Sequence, residues 1–186
     1  GMAHIYKVVY APSDDGQRRA AEFPMAMKIP RMTAADGAEN IVSFEIELQI
    51  PSELKGLHVP RFVAAGDLSR LPYLVMEYVE GQTLQHWLDQ RETLTVPAMA
   101  ALGAAMARAA HSLHQQNVCH LDLKPANVLI RPDGAAVMLD FGLSGHAQYP
   151  DLLAEELRRA VGSPVWISPE QVVGVRGDPR SDIFAI

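Results

Sequence analysis

Short, mostly apolar runs at residues 5–10 and 23–30 predict two strands, separated by a polar turn at 12–22. The spacing then changes. Over 37–54, Ile41, Phe44, Leu48 and Ile50 recur at helical intervals, and Pro51 should end or kink that helix. Two more strands are predicted at 61–65 and 72–79, with Gly66-Asp67-Leu68-Ser69-Arg70 turning between them. Beyond Gly81 the pattern is helical. A short amphipathic segment covers 83–90, and a long Ala/Met/Leu-rich helix covers 96–116 with Pro97 in its first turn, where proline is tolerated. Short strands at 128–130 and 137–139 flank the turn Pro132-Asp133-Gly134. A strand-rich front and a helix-rich back, joined near Glu80-Gly81, predict an α+β fold of two lobes with a cleft between them, residues 1–80 and 81–186. The last six residues, Ser181 to Ile186, begin an apolar helical pattern and stop without a cap, so the chain reads as a piece of a longer one.

Composition narrows the class. With 186 residues, 48% of them hydrophobic and 20% charged, the chain has the make-up of a soluble globular protein. A net charge of −6 and scattered basic residues argue against nucleic acid or an anionic membrane as partner. The single cysteine, Cys119, excludes a disulfide framework and a cysteine-rich zinc site, and reads as a small buried side chain. No apolar run is long enough for a membrane span and no signal peptide precedes the first strand, so a cytoplasmic location is expected. His111 and His114 share a helical face, but with no carboxylate or cysteine at metal spacing they are not read as a zinc site. Trp87 and Trp166 read as packing anchors.

The chemistry concentrates in the second half, in His120-Leu121-Asp122-Leu123-Lys124-Pro125-Ala126-Asn127 and Asp140-Phe141-Gly142. Asp122 is a candidate base, and Lys124, two residues on, can neutralise charge on a phosphate. Asn127 offers a neutral oxygen and Asp140 a hard anionic one, the pair that magnesium prefers. The hairpin between them brings Asp140, 18 residues beyond Asp122, back to the same place. A base, a phosphate cation and two magnesium ligands are the parts of phosphoryl transfer from ATP.

These two motifs, in this order and spacing, resemble the catalytic and magnesium loops of eukaryotic-type serine/threonine protein kinases of bacteria. The resemblance covers essentially the whole chain. It implies the bilobal kinase fold, an antiparallel β lobe with one helix and a mainly helical lobe, cut short at both ends. Met25-Ala26-Met27-Lys28 is similar to the Val-Ala-Ile-Lys strand, which makes Lys28 the α/β-phosphate lysine. Phe44-x-x-Glu47 resembles the helix that supplies its partner, 19 residues on. Glu45 is the competing choice; it lies about 200° round the helix, so only one of the two can face the cleft. Leu74 to Gly81 resembles the strand and hinge behind adenine, with Met76 as gatekeeper and the backbone at Glu77 and Val79 bonding the base. Ala26 and Ile5 would roof the adenine and Leu129 would floor it. Gly162-Ser163-Pro164 and Ser168-Pro169-Glu170 resemble the elements that end the activation segment and mark serine/threonine specificity. Asp182 matches the aspartate that braces the catalytic-loop backbone. The resemblance implies ATP and Mg2+ as cofactors and a protein as substrate. The stretches 59–67 and 150–156 further resemble proteobacterial kinases fused to a universal-stress-protein domain, which implies a fused regulatory domain outside this chain.

The pattern departs from the family in four places. The glycine-rich loop is nearly absent, with Ala3 where its last glycine should stand. Leu121 replaces the arginine that would pair with an activation-loop phosphate, so phosphorylation there is not expected to be the main switch. Residues 151–160 read as a helix with Glu155 and Arg159 paired on its surface, the alternative being an inhibitory helix against the Lys28-bearing lobe. The chain also stops before an arginine that would pair with Glu170. Two other functions stay open: a pseudokinase that binds ATP without transfer, and a small-molecule phosphotransferase, which would lack the 162–170 elements.

Overall fold

The computed structural model describes residues 3–11, 20–31, 38–156 and 162–186. Most of the turn read at 12–22, the first two residues of the phosphate-loop remnant, Gly37, and the Glu155–Arg159 pair lie outside them.

The front half is a four-stranded antiparallel sheet built from β1 (Ala3–Val8), β2 (Met25–Pro30), β3 (Phe62–Ala65) and β4 (Leu74–Glu77), in the order β1-β2-β4-β3. β2 and β4 are the interior strands, and β2 carries Lys28 among apolar neighbours. Ala26 pairs with Lys7 and Met76, and Lys28 with Ile5 and Leu74. Paired residues in a sheet face the same side, so Ile5, Ala26, Lys28 and Met76 share one face. β1 is an edge strand, displaced two residues toward the N-terminus from its predicted position, and Ile5 is 57% exposed.

Helix α1 (Ala38–Glu53) packs against this sheet and corrects the predicted apolar face. Ile41 is exposed, whereas Phe44, Ile46, Glu47 and Ile50 are buried. Phe44 and Ile50 of the predicted stripe are buried as expected, but the buried face runs round to Ile46 and Glu47 in place of Ile41. The cause is Glu47, a carboxylate in the middle of the buried face, which breaks the apolar run that periodicity looks for. Pro51 neither ends nor interrupts the helix at once; it costs one backbone bond to the preceding turn, and the helix ends two residues later at Glu53.

The back half begins at Gly81 with β5 (Gln82–Thr83) and α2 (Leu84–Asp89), capped by the Thr83 hydroxyl. A side chain at Gly81 (φ 142°) would collide with the Ile130 carbonyl, so the chain passes directly over the next sheet. Helix α3 (Val96–His114) buries Ala105, Met106, Ala109, Ala110 and Leu113. Its small residues allow β8 (Ala136–Met138) to lie close, with all three β8 residues fully buried. β8 pairs with β7 (Val128–Ile130), and β7 with β5. A two-stranded ribbon of β6 (Val118–Cys119) and β9 (Gly145–His146), then short helices α4 (Leu152–Glu156), α5 (Pro169–Val172) and α6 (Pro179–Phe184), complete the described residues. One continuous core joins Ile46 and Ile50 of α1 to α3, β7, β8, Phe141 and Leu153. Leu153 is 1% exposed, so α4 inserts into the core rather than lying as the solvated surface helix that was expected.

Candidate active site

Two groups of charged residues stand at the junction of the halves. The first centres on Lys28. Its ammonium bonds the Glu47 carboxylate on α1, and Asp140 at 2.9 Å. Glu45 is exposed, so of the two candidate partners Glu47 is the one that reaches Lys28. Burial works against the Lys28 charge, but Glu47 and Asp140 outweigh it and raise its pKa. Burial raises Glu47 to about 7, with Lys28 opposing and Asp140 adding to the rise. Asp140 is held below the carboxylate range because Lys28, His120 and Lys124 together outweigh its burial.

Backbone geometry places Asp140. Its φ is 66°, a left-handed conformation that Asp tolerates better than most residues. Phe141 is buried against His120, ring centroids 5.1 Å apart. Any side chain at Gly142 would strike Ser43 of α1, so glycine lets the helix that carries Glu47 approach the loop that carries Asp140.

The second group centres on Asp122. Its Oδ2 accepts from Lys124 Nζ at 2.7 Å and Asn127 Nδ2 at 3.1 Å, and its Oδ1 accepts from the Ser163 hydroxyl at 2.9 Å. Lys124 also donates to Ser163 Oγ at 2.8 Å. Asn127 is buried and spends its amide hydrogens on the carboxylate and backbone carbonyl of Asp122. Its Oδ1 is therefore the atom left to meet a cation. With the half-exposed Asp140 carboxylate, this gives the hard oxygen donors that suit magnesium.

Behind Asp122 the loop backbone is clamped. Asp182, 1% exposed, accepts from the amides of His120 and Leu121 at 2.8 Å each, and from His114 Nε2 at 2.8 Å. The Leu121 carbonyl accepts from Gln171 Nε2 at 2.8 Å, and His120 Nε2 meets the Leu139 carbonyl at 2.9 Å. Leu121 has a φ of 62°, a conformation that costs about 1–2 kcal/mol and persists because its surroundings impose it. His114, Cys119 and Asp182 lie within 4.8 Å of one another, so a cysteine and a carboxylate do approach the histidine that sequence spacing left alone. Asp182 is already occupied by three donors. The buried Cys119 thiol is raised to about 12 by burial and by Asp182 and Asp178, so it is neither a ready ligand nor a nucleophile.

The remaining predicted residues lie on β1, β2, β4 and β7 and in the segment between β4 and β5. Ala26 and Met76 are paired on the face that carries Lys28, and Ile5 lies across from Lys28 itself. The Glu77 side chain turns away to Arg131 at 3.0 Å and Arg61 at 3.6 Å. Val79 is buried, and Leu129 lies on β7, where a side chain at Gly81 would touch it. Sequence reasoning did not assign the contacts of Ser163, Gln171 and His114. Ser163 had a signal in its Gly-Ser-Pro motif, Gln171 in the capping-box spacing Ser168-x-x-Gln171 and His114 in the helical face it shares with His111, but none of these points to the catalytic loop.

The protein kinase domain profile matches residues 13–186. A probable serine/threonine-protein kinase of Clostridium perfringens, CPE1738, is 27% identical over 186 residues, all of this chain and 26% of its own length. Serine/threonine-protein kinase PknL of Mycobacterium tuberculosis is 29% identical over 163 residues, 88% of this chain and 40% of its own. Serine/threonine-protein kinase AfsK of Streptomyces griseus is 30% identical over 187 residues, all of this chain and 22% of its own. The chain thus spans well under half the length of these relatives. With the α+β fold, the buried Lys28–Glu47 pair and the clamped loop around Asp122, the match over 13–186 shows that the chain belongs to the protein kinase domain family.

Proposed function

We propose that this chain is the catalytic core of a serine/threonine protein kinase, with residues 1–80 and 81–186 as its two lobes. The carrying observation is the convergence of Lys124, Asn127 and Ser163 on the Asp122 carboxylate, beside the Lys28–Glu47–Asp140 cluster. Magnesium-ATP, when bound, supplies the γ-phosphoryl group and neutralises the charge that develops during transfer. Lys28, held by Glu47, binds the α- and β-phosphates. Asp140 and the Asn127 carbonyl oxygen hold the metal. Ile5, Ala26, Met76 and Leu129 enclose the adenine, and the backbone at Glu77 and Val79 reads its edge.

Asp122 orients the substrate hydroxyl. As that oxygen bonds to phosphorus, the bond from phosphorus to the bridging oxygen breaks. ADP leaves, and the hydroxyl proton passes to Asp122. Lys124 stabilises charge on the moving group. Ser163 keeps Asp122 and Lys124 at a fixed separation. We place the reaction in the cytoplasm, where ATP is available; among the described residues no helix is long and apolar enough to cross a membrane.

The test is phosphate transfer by the full-length protein to serine or threonine of a generic protein substrate with magnesium and ATP. Transfer should be lost in Asp122→Ala and Asp140→Ala. Binding of ATP with no transfer by the unmutated protein would contradict the proposal.

A further inference from the structure

We infer that Gln171 is a positioning residue for the transfer reaction: its side-chain amide fixes the Leu121 carbonyl and thereby the aim of Asp122. The inference rests on reading Asp122 as the group that orients the substrate hydroxyl.

Gln171 sits on α5 and is 4% exposed. Its amide orientation is set from behind. Oε1 accepts from the Ser168 backbone N–H at 3.2 Å and lies 3.1 Å from the Ser168 hydroxyl, whose single hydrogen it shares with Ser181. With the oxygen so engaged, Nε2 faces the catalytic loop and donates to the Leu121 carbonyl at 2.8 Å. The network continues from Ser168 Oγ to Ser181 Oγ at 3.0 Å and from Ser181 Oγ to Glu170 at 2.7 Å. Ser168 and Ser181 are fully buried.

Leu121 is therefore held on both sides. Asp182 of α6 takes its N–H at 2.8 Å, and Gln171 of α5 takes its carbonyl. Rotation about either backbone dihedral of this left-handed residue breaks one of the two bonds, and the next residue is Asp122. The Leu121 side chain is itself buried and apolar, so it contributes no polar anchor. The grip on the loop comes from side chains whose bonds need no phosphate.

Two variants of the full-length protein separate this role from simple stability. Gln171→Met keeps length and volume but loses donor and acceptor. Gln171→Glu keeps the acceptor oxygen and can donate to the Leu121 carbonyl only while protonated. The charged groups joined to this network are Glu170, through Ser181 and Ser168, and Asp182, through the Leu121 amide; both are carboxylates and favour the protonated form.

Gln171→Met should lower kcat about tenfold or more, with KM for magnesium-ATP within about twofold, and amide exchange should quicken at residues 120–123 while the rest of the chain keeps its protection. Gln171→Glu should approach wild-type kcat at low pH and lose it as pH rises, whereas Gln171→Met stays low throughout. Wild-type kcat in Gln171→Met, exchange that quickens equally along the whole chain, or the same flat pH profile in both variants would overturn the inference. If the unmutated protein transfers no phosphate, the functional reading fails; exchange at 120–123 in Gln171→Met then decides by itself whether Gln171 holds the loop.

Discussion

The two carboxylates of the candidate site are held in contrasting ways. Asp122 is closed in by three side-chain donors, and the backbone behind it is pinned through buried Asp182 and Gln171. Asp140 is half exposed and pairs with Lys28, whose other partner rides on α1. The first arrangement is internal to the back half and depends on groups buried there. The second spans β2, α1 and the loop after β8, so it exists only while α1 stands where it does. On the proposed reading, the group that would meet the substrate hydroxyl is preassembled, and the group that would meet the nucleotide is conditional. A signal that moves α1 would reach the second group and leave the first alone.

The largest effect is expected from Lys28→Met, which empties the centre of the conditional group. Turnover should fall on the order of 10³-fold, within the range that positioned charged groups supply. Circular dichroism should show the fold intact, because Glu47 can take up a proton in place of its lost partner. Undiminished turnover would remove Lys28 from the mechanism.

Asp182→Ala attacks the preassembled group instead. It strands the amides of His120 and Leu121 in a buried site, each at roughly 1–3 kcal/mol. Urea unfolding should show a loss of several kcal/mol by that arithmetic, and an unchanged midpoint would show that the clamp is not needed.

Glu47 gives a pH signature. Its folded pKa of about 7 lies above the ordinary glutamate value of 4.5. The folded state therefore holds a proton that the unfolded chain releases across this window, and stability contributed by the protonated form is lost as pH rises through it. Glu47→Gln should remove that slope, and identical pH profiles of the two proteins would contradict the burial argument. The effects of Asp140 and Lys28 fall elsewhere: Asp140, lowered, loses its contribution below the ordinary aspartate range, and Lys28, raised, loses its own only above the ordinary lysine range.

Smaller still is Ser163→Ala, expected to cost about tenfold in kcat, since Asp122 and Lys124 keep their direct bond. Least of all, phosphatase treatment should change the rate by less than about twofold, since Leu121 offers no cation to a phosphate.

How much of this was legible in the sequence follows from what each feature depends on. The β7–β8 hairpin could be read because its turn and its apolar strands are local. Lys28 and Glu47 could be paired from motif resemblance, but periodicity gave only Phe44 and Ile50 of the buried face of α1, since a carboxylate, Glu47, occupies the same side. The two-residue strands β5, β6 and β9 exist only through partners elsewhere in the chain and leave no pattern of their own. The same holds for the clamp. Gln171 lies 50 residues from Leu121, and Asp182 lies 68 from His114. No spacing rule links residues so far apart, whereas Asp122, Lys124 and Asn127 sit within one short loop.

The contrast between the two groups is tested most directly by magnesium-ATP affinity and single-turnover transfer rate, measured side by side in Asp122→Asn. The transfer rate should fall by about 10²–10⁴-fold, the range of a positioned base, while affinity for magnesium-ATP stays within about twofold. A transfer rate equal to that of the unmutated protein, or a parallel collapse of nucleotide affinity, would contradict the separation of the two groups.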